Sequence, residues 1–300
     1  MIFDRFTGRI GRLLLRCCVL LVAGASSGCS PLGIINALTP GSGYRIVQNV
    51  AYGPEARQGL DIYVPLEARD APVIVFFYGG NWEQGSKDDY RFVGQAFVSH
   101  GYIAVIPDYR LYPGVRYPAF LQDGAAAVRW VHDNISVHGG ASGPLFLGGH
   151  SAGAYNAAML GLDKRWLGAV GLDPDRDLRG VIGLAGPYDF LPIKDPVLKI
   201  VFGPPDEWPA TQPIRYAHKG APPFFLASGS ADTTVDPGNA TRLADRLKED
   251  GGSVDIKFYE GISHRELVGS LAAPLRFLDP ALKDAVAFMK RVSPPLIPAP

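Results

Sequence analysis

Eight short runs of β-branched, aromatic and leucine residues punctuate the chain, at 44–50, 60–64, 73–78, 103–106, 145–149, 181–184, 224–228 and 254–259. Their lengths and residue types predict strands. From the third run onward most are unbroken apolar stretches, the pattern of parallel strands buried on both faces. The intervening segments are long enough for crossover helices. Residues 87–100 separate two strands; Val128, Val131 and Ile135 share one face of 119–135; Leu243 and Leu247 lie four apart in 239–250, before Gly251-Gly252; and a last helix is expected over 280–292. This alternation predicts an α/β fold, a mostly parallel eight-stranded sheet with helices on both faces, in a domain spanning 44–295. Such sheets bind ligands at the carboxyl ends of their strands, so residues just after strands are the first candidates for chemistry. One interval, 186–223, is longer than a crossover needs and is rich in proline and aromatic residues; it is expected to form a short lid or pocket wall.

The beginning of the chain reads differently. Arg5, Arg9, Arg12 and Arg16 precede a short apolar stretch, 17–25, too short for a comfortable membrane span, and residues 1–30 therefore read as an export leader or membrane anchor followed by a linker over 31–43. Ser27-Gly28-Cys29-Ser30 resembles the end of a bacterial lipobox in which Cys29 would be lipidated, with Ser26 where leucine is usual. Ala23-Gly24-Ala25 offers a competing cleavage site for a soluble exported protein, and a cytosolic protein with an apolar N-terminal helix is the third reading. The expected location is the bacterial cell envelope, as a lipoprotein or as a periplasmic or signal-anchored protein.

Composition narrows the chemistry. Of 300 residues 47% are hydrophobic and 19% charged, enough for one large core, and 29 basic residues balance 29 acidic ones. With no net field and no dense cationic cluster, nucleic-acid binding is not expected. All three cysteines, Cys17, Cys18 and Cys29, fall in the leader, so the body has no disulfide framework, thiolate metal site or cysteine nucleophile, and neither metal nor cofactor is expected.

Gly149-His150-Ser151-Ala152-Gly153 follows an apolar strand and precedes a plausible helix. Glycines on either side of a serine allow the tight strand-to-helix turn that pushes the hydroxyl outward beside a helix N-terminus. A serine hydroxyl needs a base, and the base an orienting carboxylate. Of six histidines, His264 lies in the loop after the last strand, whereas His100, His132 and His138 precede the serine and His218 sits in the wall segment. Asp232 follows the strand 224–228 and is the preferred acid; Asp236 on the same loop reads as a helix cap, and Glu260 is a weaker candidate. Gly80, Asn81 and Ala152 are expected to supply backbone donors to an oxyanion, from the loop after the third strand and from the residue after the nucleophile. His150 reads as structural because neighbouring side chains on a tight turn point apart, and Asp108 is assigned no chemistry.

At YGGNW (from Tyr78), DYRLYP (108–113), GHSAG (149–153), AGPYDF (185–190), ADTTV (231–235) and YEGISH (259–264), the chain resembles the esterase/lipase branch of the α/β-hydrolases, which includes hormone-sensitive-lipase-like carboxylesterases, feruloyl-esterase-like enzymes and kynurenine formamidases. The resemblance implies the α/β-hydrolase fold, with Ser151 as nucleophile, Asp232 as acid, His264 as base and Gly80 with Asn81 in the oxyanion loop. Tyr78 stands where that branch usually has histidine. The expected activity is metal-free hydrolysis of small to medium acyl esters through an acyl-enzyme. The alternatives are an amidase or formamidase, and a non-catalytic envelope binding protein. A peptidase would lack its usual extra domain.

Overall fold

The computed structural model describes residues 31–293, so the leader, with Cys29, lies outside the described residues. The chain divides into two compact units, Met1–Leu38 and Thr39–Pro300. In the first, residues Pro31–Ala37 form a helix where the sequence reading expected only linker. Proline is no obstacle at a helix start, since its missing N–H would have no partner there anyway.

The second unit holds eight strands: β1 Tyr44–Ala51, β2 Gly59–Pro65, β3 Val73–Phe77, β4 Ile103–Pro107, β5 Leu145–His150, β6 Leu178–Leu184, β7 Phe224–Gly229 and β8 Val254–Tyr259. They form one sheet in the order β1-β2-β4-β3-β5-β6-β7-β8. β2 runs antiparallel to both of its neighbours, and all pairings from β4 through β8 are parallel. The expected mostly parallel, eight-stranded α/β-hydrolase sheet is what the chain forms. Every residue of β3, β4, β5 and β7 is buried, as unbroken apolar runs require, while β1 and β8 at the two edges are partly exposed.

Helices cover both faces. Gly161 of the helix Ala152–Leu162 packs on Val181, whereas the adjacent Gly180 faces Phe288 of the helix Ala281–Val292. Successive residues of a strand point to opposite faces, so these two helices lie on opposite sides of β6. All eleven residues of Ala152–Leu162 are buried, which makes it the central helix of the domain. The segment expected as one helix over 87–100 is instead a 3-10 turn, Lys87–Tyr90, followed by the helix Arg91–Val98. Ser86 caps the turn by accepting from Asp88 N, and the two pieces meet at Tyr90, whose backbone (φ −114°, ψ 21°) is not helical.

Residues 186–223 form a wall rather than a free flap. The wall contains one short helix, Pro196–Val201, and two 3-10 turns, Trp208–Thr211 and Pro213–Tyr216. It is tied to the body by Tyr117 N donating to Val201 O (2.9 Å) and by Tyr155 Oη donating to Thr211 O (2.7 Å). Phe190 and Phe202 insert into an aromatic cluster with Trp82, Phe120 and Tyr155, at ring separations of 4.9 to 6.5 Å.

A Cβ placed on Gly153 would collide with the carbonyls of Phe77 and Tyr78, so the central helix can approach β3 only through glycine. We expect Gly153→Ala to lower unfolding stability by at least about 2 kcal/mol, read by urea denaturation, because both colliding groups are backbone atoms that cannot rotate away.

Candidate active site

β5 ends at His150 and the central helix begins at Ala152, leaving a single residue, Ser151, to make the turn. Its backbone sits at φ 55°, ψ −122°, a conformation that L-residues rarely adopt. Ser151 N donates to Leu184 O (2.9 Å), and Ser151 O accepts from Ala154 N (2.9 Å), which fixes the turn from both sides. The flanking glycines are obligatory: a Cβ on Gly149 would strike the carbonyl of Gly153. Strained backbone is concentrated here. Of six non-glycine residues with positive φ among the described residues, Asn81, Trp82, Ser151 and Ala185 all follow the carboxyl ends of β3, β5 and β6.

The loops after β7 and β8 are stitched together, which brings an acid and an imidazole into contact. Ser230 N donates to Tyr259 O (2.9 Å), Ala231 N to Ile262 O (3.1 Å) and Gly261 N to Ser230 Oγ (2.9 Å). Asp232 then places Oδ2 2.7 Å from His264 Nδ1, while its Oδ1 accepts from Thr234 N (2.8 Å) and Val235 N (2.9 Å). Burial alone would raise the carboxyl pKa, but the hydrogen bonds from His264, Val235 and Thr234 outweigh it and hold Asp232 below the usual carboxylate value. An ionised Asp232 accepts the Nδ1 proton of His264, which leaves Nε2 as an acceptor. His264 does not lie in an open loop: it is the first residue of a short helix, His264–Gly269, started by a Ser263/Glu266 capping box. Asp236, the other acid on the loop, accepts from Gly238 N (3.0 Å) at the start of the helix Gly238–Glu249 and points away from His264 toward Arg242. Glu260 is exposed.

His150 links the serine to this pair. Its Nε2 donates to the carbonyl of His264 (3.0 Å), and the two rings lie 4.7 Å apart. Burial, and then the neighbouring His264, push its pKa down to about 3, so it is neutral and acts as a brace.

The loop after β3 closes on itself through Glu83 N and Gln84 N, both donating to Gly80 O (3.0 and 3.1 Å). Gly79 N is taken by Tyr90 Oη (3.2 Å), whereas the amides of Gly80 and Asn81 have no backbone acceptor among the described residues. Ala152 N, at the first position of its helix, likewise lacks an intrahelical acceptor. Asn81, Trp82, Ser151 and Ala152 line one end of an open cleft of about 550 Å³, whose other walls are 187–198 and 234–242. Trp82 is held by Nε1 donating to Asn156 Oδ1 (3.0 Å). Asn239 fixes the start of the wall, its Oδ1 accepting from Tyr188 N (2.9 Å) and Asp189 N (2.8 Å), and Arg242 reinforces it through Asp189 (2.6 Å). Neither Asn239 nor Arg242 carried a sequence signal, since both read as ordinary polar positions of a helix. Among the described residues, no group of three or more His, Cys, Asp or Glu side chains is placed to hold a metal ion.

Residues 60–247 match the BD-FAE family. The chain belongs to that family. It is similar to the esterase LipC of Mycobacterium tuberculosis, 26% identical over 220 residues that cover 67% of this chain and 55% of that protein. It is also similar to the kynurenine formamidase of Danio rerio, 32% identical over 148 residues that cover 49% of this chain and 48% of that protein. The chain thus spans about half the length of these relatives. Among solved structures, a truncated form of a carbohydrate esterase from gut microbiota superposes with a TM-score of 0.73 over 85% of this chain and 98% of that one, at 20% identity. This likeness agrees with the α/β-hydrolase fold.

Asparagine at 232 would keep an oxygen for the amides of Thr234 and Val235 but would offer His264 Nδ1 no negative charge. Asp232→Asn is therefore expected to leave thermal unfolding within a few degrees of the parent while lowering kcat on p-nitrophenyl acetate by on the order of 10³–10⁴.

Proposed function

We propose that this protein is a serine carboxylesterase acting on small to medium acyl esters. The observation that carries this reading is the Asp232–His264 pair, braced by His150 next to Ser151 at the carboxyl ends of the strands, with Asn81 and Ala152 beside Ser151 in the cleft. His264 Nε2 takes the Ser151 proton as Oγ attacks the ester carbonyl carbon. The carbonyl electrons move to oxygen, where the amides of Gly80, Asn81 and Ala152 stabilise the charge. Collapse of this intermediate expels the alcohol, which leaves with the proton held by His264. Water then repeats the sequence on the acyl-enzyme, giving up a proton to His264, which passes it to Ser151 Oγ as the bond to the acyl carbon breaks and the acid leaves. Size follows from the walls: Trp82, Phe190 and Phe202 pack into one aromatic block next to the oxyanion loop, which favours short acyl groups.

Ser151→Ala is expected to abolish labelling by a fluorophosphonate probe and to reduce p-nitrophenyl acetate hydrolysis by on the order of 10⁴-fold or more. An unaltered protein that takes no label would instead indicate a non-catalytic binding role. The same residues could cleave a formamide, a second reading favoured by the likeness to the Danio rerio formamidase. Relative kcat/KM on aryl acetates and N-formylkynurenine separates the two, and the ester reading expects the acetate to be preferred by at least about tenfold, a transition-state difference of about 1.4 kcal/mol.

The basic-then-apolar leader further supports placement at the cell envelope. In a bacterial host fed radiolabelled palmitate, Cys29→Ser is expected to lose the label carried by the unaltered chain; incorporation unchanged by the substitution would rule out lipidation at Cys29.

A further inference from the structure

The oxyanion loop is anchored from behind by residues that no motif includes. Residues 79–84 lie between Tyr78, just after β3, and Gly85, and a single guanidinium nitrogen spans this base: Arg57 Nη2 donates to Tyr78 Oη (2.7 Å) and to Gly85 O (2.9 Å). Arg57 Nε donates to Tyr109 O (2.9 Å), and Tyr109 in turn stacks on Tyr78 at 4.6 Å and donates through its own hydroxyl to Tyr78 O (2.8 Å). Asp108 completes the set, accepting from Lys87 N (2.8 Å) and facing Arg57 at 3.5 Å. At the loop's first residue the fully buried Tyr90 hydroxyl accepts from Gly79 N (3.2 Å). Gly79 is the point where the loop meets the nucleophile, since a Cβ there would lie 3.0 Å from Ser151 Cβ and 3.0 Å from His150 O. Asn81 and Trp82, the next residues, are held at φ 56° and 59°, a conformation that relaxes unless the surroundings impose it.

We propose that Arg57 and Tyr90 are positioning residues for the oxyanion donors, Tyr90 through the amide of Gly79 and Arg57 by bridging the two ends of the loop through Tyr78 and Gly85. The assignment rests on Gly80, Asn81 and Ala152 being the donors of the proposed esterase. It gives Tyr78 a role in place of the histidine usual there: its phenol provides a second attachment point, reached by a guanidinium from the connection between β1 and β2. The clamp acts on the transition state because a donor displaced by a few tenths of an ångström still admits substrate but meets the developing oxyanion at poor distance and angle.

The test compares Tyr90→Phe, Arg57→Gln and Arg57→Lys with the unaltered protein. Tyr90→Phe removes only the acceptor, and the Arg57 side chain is 37% exposed, so its replacement leaves no buried void. With kcat expressed per fluorophosphonate-titrated site, Tyr90→Phe and Arg57→Gln are each expected to fall about tenfold or more with KM within about twofold. The Ki of a trifluoromethyl ketone, which forms the oxyanion on Ser151, should rise by the same factor. Arg57→Lys should follow Arg57→Gln, because one ammonium cannot span Tyr78, Gly85 and Tyr109, which distinguishes the clamp from an effect of charge alone. Amide hydrogen exchange over 79–85 should accelerate in all three variants. Unchanged kcat per titrated site in Tyr90→Phe and Arg57→Gln, or unchanged exchange over 79–85, would overturn the proposal. If the unaltered protein neither labels nor hydrolyses esters, the esterase reading fails by itself, and the exchange measurement still decides whether the clamp holds the loop.

Discussion

The main chain of Gly153 lies against the carbonyls of Phe77 and Tyr78 with no room for a Cβ between them, and Gly149 lies as close to Gly153. This backbone-on-backbone approach sets the position of the central helix, and with it the turn at Ser151 that joins β5 to that helix. The same contact fixes the first turn of the helix relative to the loop after β3, so Ala152 and Asn81 line one cleft with Ser151. Ser151 and the loop after β3 are thus registered first by a steric constraint, to which the side-chain bonds of Arg57 and Tyr90 add.

Holding four non-glycine residues at positive φ costs on the order of 1–3 kcal/mol each. The surrounding structure opposes relaxation at three of the four. Ser151 is held by Leu184 O and Ala154 N, Trp82 by Asn156 and its aromatic neighbours, and Ala185 by its amide on Ala227 O (2.7 Å). The imidazoles are arranged with similar economy. A cationic His150 only 4.7 Å from His264 would oppose the imidazolium that the proposed mechanism forms there, and deep burial keeps His150 uncharged.

Much of this was legible in the sequence because the relevant signals are local. Unbroken apolar runs marked the buried strands, and the fixed chain order of serine, acid and histidine after three of them pointed to Ser151, Asp232 and His264. Asp232 was preferred to Asp236 from the residues, and in the structure one carboxylate meets His264 while the other caps a helix. What escaped notice depends on contacts between distant segments. Arg57 lies in a polar connection whose meaning appears only when it reaches Tyr78, 21 residues on, and Tyr109, 52 residues on. The break between the turn Lys87–Tyr90 and the helix after it was hidden because 87–100 contains no proline and its glycine lies later, at 94; tertiary bonds to Asp108 and Gly79 impose it. His264 seemed to sit in a loop because the helix that it starts is only six residues long.

The wall over the cleft is tied to the body near its start by Asn239, along its length at Val201 and Thr211, and at its end by Val181 N donating to Pro223 O (2.9 Å). Its aperture is therefore established when the chain folds and does not wait for a ligand to part it. For the proposed esterase, admission of substrate becomes a matter of sieving by molecular girth, so dispersed single molecules should enter as readily as those gathered at an oil–water boundary, and turnover should saturate along a simple hyperbola without the abrupt onset of a gated lipase.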